Sequence, residues 1–267
     1  MSNVSMQERE RFADRIRLRA VKMVAPHGFG YLGQALSSAE LFATLFCGPY
    51  DRSRDKLVCS PGHYIIGFFA AARELGLVSD DDLSSYGNEG SPFEAIGTER
   101  SPIVDLTCGS LGQGLSGGVG FALSAQLRGN ESTRVFVVMS DGELEEGQTW
   151  EAAMFAAHRG LSNLIVLLDA NDSQVDGPVS SITTLEPIAA KWESYGWAAF
   201  DVDGHDADAL SEALERCAVE NRPSIVIART STVHGLACLP DGADGHFIKL
   251  PPELAAAAVA ELEARLA

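Results

Sequence analysis

Two stretches decide the fold of this 267-residue chain: Arg134-Val-Phe-Val-Val-Met-Ser-Asp-Gly142 and Asn163-Leu-Ile-Val-Leu-Leu-Asp-Ala-Asn171. Each carries a short, continuously apolar run, too brief for an ordinary helix, that ends on an oxygen-bearing side chain. An apolar run without alternation is the mark of a strand buried on both faces. Between them Thr149 to Arg159 reads as a helix, and the alternation continues downstream. Ile188 to Tyr195 is helical, Trp197 to Val202 a strand, Asp206 to Glu220 an amphipathic helix and Ser224 to Ala228 a last strand. Buried strands alternating with helices predict an α/β fold, a doubly wound, mostly parallel sheet flanked by helices.

Working outward, Phe12, Ile16, Leu18 and Val21 recur among charges and predict an N-terminal amphipathic helix to about Val24. Ser37-Ser38-Ala39-Glu40 reads as the start of a second helix that buries Leu41, Phe42 and Leu45. Ser79 to Thr107 is polar and rich in glycine and proline, mostly irregular loop, and Pro251 to Ala267 is an alanine-rich helix. No repeat or linker divides the chain, so residues 1–267 are expected to form one domain with an N-terminal helical region and a C-terminal helix.

Twenty basic against 37 acidic residues leave a net charge of −17, a field that repels nucleic-acid backbones and anionic lipid. An anionic ligand would therefore need a metal ion or backbone N–H groups to receive it. Five scattered cysteines without a CxxC pair fit reduced thiols. The charged N-terminus shows no secretory signal, and the longest apolar run, around Tyr64 to Ala72, is too short to span a membrane. A cytoplasmic location is expected.

In a doubly wound sheet, ligands bind beyond the carboxyl ends of the strands. Asp141 follows the first buried strand and Asn171 the second, thirty residues later, the length of one strand–helix–strand unit. If those strands are neighbours, both side chains reach one edge. Asp and Asn oxygens with open positions suit Mg²⁺ bridging to a diphosphate. Taken singly, each residue is better explained by a turn at Asp141-Gly142 or a cap at Asn171.

Ser140-Asp-Gly-Glu-Leu-Glu-Glu-Gly-Gln-Thr-Trp-Glu-Ala-Ala-Met-Phe-Ala-Ala-His158, with Leu168-Asp-Ala-Asn171 and Val175-Asp-Gly177, resembles the thiamine diphosphate motif of transketolases. More narrowly, the chain is similar to the N-terminal, diphosphate-binding subunit of split transketolases. Leu106-Thr-Cys-Gly-Ser-Leu-Gly-Gln-Gly-Leu-Ser116 and Asp201-Val-Asp-Gly-His-Asp206 resemble two further stretches of that family, and the likeness runs from about Arg11 to Pro251. It implies the thiamine diphosphate-binding fold, with thiamine diphosphate and Mg²⁺ as cofactors. The metal ligands would be Asp141, Asn171 and the carbonyl of Ser173. Gly142 would meet the diphosphate, Gly109 and Leu111 the aminopyrimidine, and Val175 the cofactor rings. Glu146 would join the carboxylate relay coupling paired sites, although Glu143, Glu145 and Glu146 also read as a solvated acidic run. His63 matches a family histidine near the diphosphate and His246 a later active-site histidine; His27, His158 and His205 are left without a role, and His234, close to the end of the last strand, is an outside candidate.

Two positions depart from the family. Tyr31 stands where Gly28-Phe-Gly-Tyr-Leu-Gly33 should carry a histidine, and Ser91 replaces a second one in Gly90-Ser-Pro92. Those histidines contact the sugar in transketolases, and a phenol near pKa 10 cannot shuttle protons at neutrality as imidazole does. A local register change would offer His27 in place of Tyr31. Ser140 also replaces the usual glycine before Asp141. The resemblance implies transfer of a two-carbon ketol unit. The alternative is a specialised carboligase with a 2-oxo acid donor or non-sugar acceptor, and a non-catalytic binding subunit is the third reading. A second, pyrimidine-binding domain does not fit in 267 residues, so a separate C-terminal subunit is expected as partner, in a dimer of heterodimers.

Overall fold

Both deciding stretches form strands in the computed structural model, which describes residues 4–130, 132–240 and 242–267. In chain order, α1 (Met6–Val24) leads through a short turn to β1 (Phe29–Gly30), then α2 (Leu32–Ser37) and α3 (Ala39–Cys47). Next come β2 (Lys56–Cys59), α4 (Ile65–Glu74), α5 (Asp80–Ser84), β3 (Leu106–Thr107) and α6 (Gln113–Leu127). The regular half follows as β4 (Val135–Ser140), α7 (Gly147–His158), β5 (Leu164–Ala170), α8 (Val179–Ile182), α9 (Ile188–Ser194) and β6 (Ala198–Asp203). The chain then runs through α10 (Ala207–Cys217), β7 (Ser224–Arg229), β8 (Ile248–Lys249) and α11 (Pro252–Leu266).

Six strands pair in parallel in the order β3-β2-β4-β5-β7-β6, and β1 and β8 form a small antiparallel pair. Every residue of β4 and β5 is buried, as their unbroken apolar character requires. Successive side chains leave a strand on opposite faces, so β4 feeds two cores. Phe136 and Val138 pack in the layer with α1, α3 and α4, whereas Val135, Val137 and Met139 pack with residues of α6, α7 and α9.

The second helix begins later than the serine pair suggests. Ser38 is its cap residue but makes no side-chain cap bond, and its hydroxyl donates instead to the Gln34 carbonyl of the unanticipated α2. Glu40 is turned inward to Arg17, 2.6 and 2.7 Å from its guanidinium, because Arg17 is only 2% exposed and a buried charge must be paired. Helix α6 also escapes pattern reading, since glycine disfavours helix and four glycines interrupt it. Close packing explains them: a Cβ on Gly114 would lie 2.4 Å from the Ser60 side chain, and one on Gly118 2.4 Å from Val137. Only glycine lets α6 lie this tightly on the sheet. Among the described residues, no helix is long and apolar enough to cross a membrane.

Candidate active site

Strands β4 and β5 are direct neighbours with Ser140 opposite Asp169, so Asp141 and Asn171 emerge side by side at the carboxyl edge. Asp141 is 4% exposed and, among the described residues, accepts only backbone N–H groups, Gly142 at 2.9 Å and Asp172 at 2.6 Å. Burial, reinforced by nearby Asp169, pushes its carboxyl up to about 7. A carboxylate so placed gains most from a cation.

Asn171 is oriented from beneath by a group that pattern reading passed over. Asp169 is fully buried and accepts from Ser37 at 2.5 Å, Tyr64 at 2.7 Å, Asn171 Nδ2 at 2.8 Å and Thr230. An acceptor-only carboxylate fixes which end of the Asn171 amide faces it. Nδ2 points down to Asp169 and the Tyr64 hydroxyl, and Oδ1 is left for the Ser173 N–H at 3.0 Å and the cleft. Burial raises the Asp169 carboxyl, opposed by these donors. The signal was two residues away, a carboxylate near the end of an otherwise apolar strand.

A cavity of about 600 Å³ opens here, lined by Asn171, Ser173, Gln174, Val175, Thr232 and Gly245 among others. The donor set fits a hard divalent cation: an aspartate and an amide oxygen, beside backbone that can approach a diphosphate. A Cβ on Gly109 would meet nothing within 4 Å, and one on Gly142 only Gln174 at 4.0 Å, so both positions leave room.

The acidic run after Asp141 divides. Glu143 is 0% exposed: Oε1 accepts from Ser60 at 2.5 Å and the Gly112 N–H at 2.8 Å, and Oε2 from the Ser140 N–H at 3.1 Å. Its carboxylate ties the end of β4 to the loop holding Gly109 and Leu111 and to Ser60. Burial pushes it up to about 7. The Ser-x-x-Glu spacing of a capping box was the available signal. Glu145 and Glu146 are exposed. Val175, at the tip of the Gln174–Gly177 turn, is 76% exposed.

His63, His246 and Tyr31 come together. The Tyr31 ring lies 5.2 Å from His63 and 5.8 Å from His246, and the two imidazoles are 5.2 Å apart. Burial, then the neighbouring His246, lowers His63 to about 3. Burial also lowers His246, opposed by Asp244 and a hydrogen bond with the Ser173 backbone. His27 instead bonds the Tyr86 carbonyl at 2.7 Å, so Tyr31 keeps the position beside His63 and the register change does not occur. Ser91 has other company: its hydroxyl bonds Ser85 at 2.7 Å and accepts the Phe93 N–H at 3.0 Å within its own turn.

A parallel sheet with an Asp–Asn pair at its carboxyl edge and a cleft beside Asn171 fits a class, the diphosphate-binding α/β domains. The chain belongs to the transketolase family: the description "Transketolase, thiamine diphosphate binding domain" matches residues 8–263. It is a thiamine diphosphate-dependent, transketolase-like transferase subunit. It is 35% identical to a 6-deoxy-6-sulfo-D-fructose transketolase subunit of Clostridium sp., covering 94% of each chain. It is 32% identical to an apulose-4-phosphate transketolase subunit of Actinobacillus succinogenes, covering 93% of each. Transketolase of Campylobacter jejuni superposes with a TM-score of 0.88 at 24% identity, over 98% of this chain and 43% of that one. That of Pichia stipitis gives 0.85 at 27%, over 98% and 41%. The chain thus spans about two-fifths of the solved transketolases it matches.

Proposed function

We propose that this chain supplies the metal–diphosphate half of a transketolase-type active site and, with a separate pyrimidine-binding subunit, transfers a two-carbon ketol unit. The observation that carries the reading is the Asp141–Asn171 pair on adjacent parallel strands, with the amide oxygen turned out by Asp169. Asp141, Asn171 and the Ser173 carbonyl would hold Mg²⁺, and Gly142 would let the diphosphate approach. Gly109 and Leu111 would border the aminopyrimidine, and Val175 would pack on the cofactor rings. Bound there, thiamine diphosphate supplies a nucleophilic carbon that stabilises negative charge on a cleaved donor. The chain's own part is to hold the cation that neutralises the diphosphate, exclude water and present His63 and His246 as neutral hydrogen-bonding groups. Exposed Glu146 would meet its relay partner across a subunit contact, in a dimer of heterodimers. Relatives that match over nearly their whole length and are named as subunits support the partner. A cytoplasmic location accompanies this reading.

The test is reconstitution. The chain alone, with thiamine diphosphate and Mg²⁺, should turn over no ketose; with the partner it should cleave ketose phosphate donors. Full turnover by the isolated chain would refute the division of labour. A second reading, a carboligase taking a 2-oxo acid donor or non-sugar acceptor, is favoured by Tyr31 lying against both histidines. Turnover of pyruvate without ketose activity would select it. Calorimetry with the partner present and no cofactor binding would select a non-catalytic subunit.

A further inference from the structure

His246 is held by a residue that neither the motifs nor the family likeness marks. Gln34 lies in α2, 1% exposed, and its Nε2 reaches the His246 carbonyl oxygen at 3.0 Å and the His246 Nδ1 at 3.3 Å. The amide orientation follows from the carbonyl: turned over, Oε1 would face another acceptor, so the NH₂ end must point at His246. One of its protons goes to the carbonyl and the other to Nδ1. A nitrogen that receives a proton cannot carry one in the neutral ring, so the imidazole proton falls on Nε2.

The surrounding packing makes this arrangement rigid. A Cβ on Gly33 would fall 1.8 Å from the Gly245 carbonyl oxygen, and one on Gly245 1.9 Å from the Thr232 hydroxyl. Helix α2 and the loop before β8 therefore touch backbone to backbone, one residue from Gln34 and one from His246. The Tyr31 ring, at 84° to the imidazole, closes its other side.

We propose that Gln34 is a positioning residue that holds His246 as its Nε2–H tautomer, so that this histidine works in the site as a neutral donor through Nε2. Its catalytic consequence rests on the function proposed above; the tautomer does not.

The test is ¹⁵N NMR of the full chain, in which the unprotonated imidazole nitrogen resonates far downfield of the protonated one, with His246→Asn assigning the signals. The expected parent spectrum has His246 protonated at Nε2. Gln34→Met, which keeps length but removes both donors, should give a tautomer mixture. Gln34→Glu, an acceptor of the same shape, should draw the proton to Nδ1. A merely space-filling glutamine would leave the His246 signals unchanged in both variants, and that result overturns the proposal. So does a parent chain protonated at Nδ1, which decides the matter even if neither variant folds. In the reconstituted enzyme Gln34→Met should lower kcat with cofactor affinity retained. An Nε2–H parent whose variants shift as expected, in an enzyme without ketol transfer, would leave this assignment standing and refute the function instead.

Discussion

Gly33→Ala tests whether the contact between α2 and the loop before β8 builds the site. The added methyl would sit 1.8 Å from the Gly245 carbonyl oxygen and 3.1 Å from the Thr232 Cβ. An ordinary contact to oxygen is more than an ångström longer, and both sides are backbone, so no side-chain rotation can relieve the overlap. The loop carrying Gly245 and His246 must move by about 1.5 Å, on the scale at which misplacing an active-site group costs roughly a hundredfold in rate. Such a shift breaks the 3.0 and 3.3 Å bonds from Gln34. Overpacking of this kind costs about 1–3 kcal/mol, which for a chain of this size lowers Tm by roughly 3–10 °C. The assay is thermal unfolding together with thiamine diphosphate titration in the partner complex. A parental Tm and parental turnover would refute the reasoning, for they would show that the two backbones are not in contact.

Three further outcomes are expected. Asp169→Asn removes the charge and puts an NH₂ group in place of one acceptor oxygen among Ser37, Tyr64, Asn171 and Thr230, so at least one of these hydrogen bonds is lost or must reverse. The cost should be about 1–3 kcal/mol, and metal-dependent cofactor binding should weaken more than Tm falls; binding unchanged in Mg²⁺ titrations would count against Asn171 being oriented by Asp169. His63 titrates in the folded chain at about 3 rather than 6.5. A base with a depressed folded pKa contributes stability that is present above the unfolded pKa and lost as pH falls through the window between the two. Between pH 6.5 and 5 the loss should be about 2 kcal/mol, seen in urea unfolding and absent in His63→Asn; parallel pH profiles for both would dispose of it. Tyr31→His restores a group that can exchange protons near neutrality, and in the reconstituted enzyme it should raise ketose over pyruvate turnover by roughly a hundredfold, the lower end for a positioned acid–base group. A donor preference that does not move would show that Tyr31 lies outside the substrate path.

The regular half of the fold was legible because its signal is local. From β4 to β7, apart from the four-residue α8, which has no period to read, each element has a local pattern: β4, β5 and β7 are apolar runs, β6 is mixed, and the observed boundaries fall within three residues of those read from the pattern. Strand β2 was not legible: four residues beginning with a lysine carry no period, and only hydrogen bonding to β3 and β4 makes them a strand. The same limit divides the site. Asp141 and Asn171 sit at strand ends that periodicity locates, so their meeting could be expected. Ser91, read alongside Tyr31 from motif position, turns out to be occupied within its own turn.

By itself, then, the sequence determined the alternation of buried strands and helices, the pair of oxygen-bearing side chains at one edge and the family to which the chain belongs. Tertiary structure alone decided which carboxylate of the run after Asp141 is buried, which end of the Asn171 amide faces the cleft, and that Gln34 grips His246 from 212 positions away. The physical reason is the range of the forces that leave a trace in the pattern. Propensity and burial repeat every two or 3.6 residues and can be read along the chain. A hydrogen bond that settles a tautomer or an amide depends on two groups meeting in space, and no local period records that.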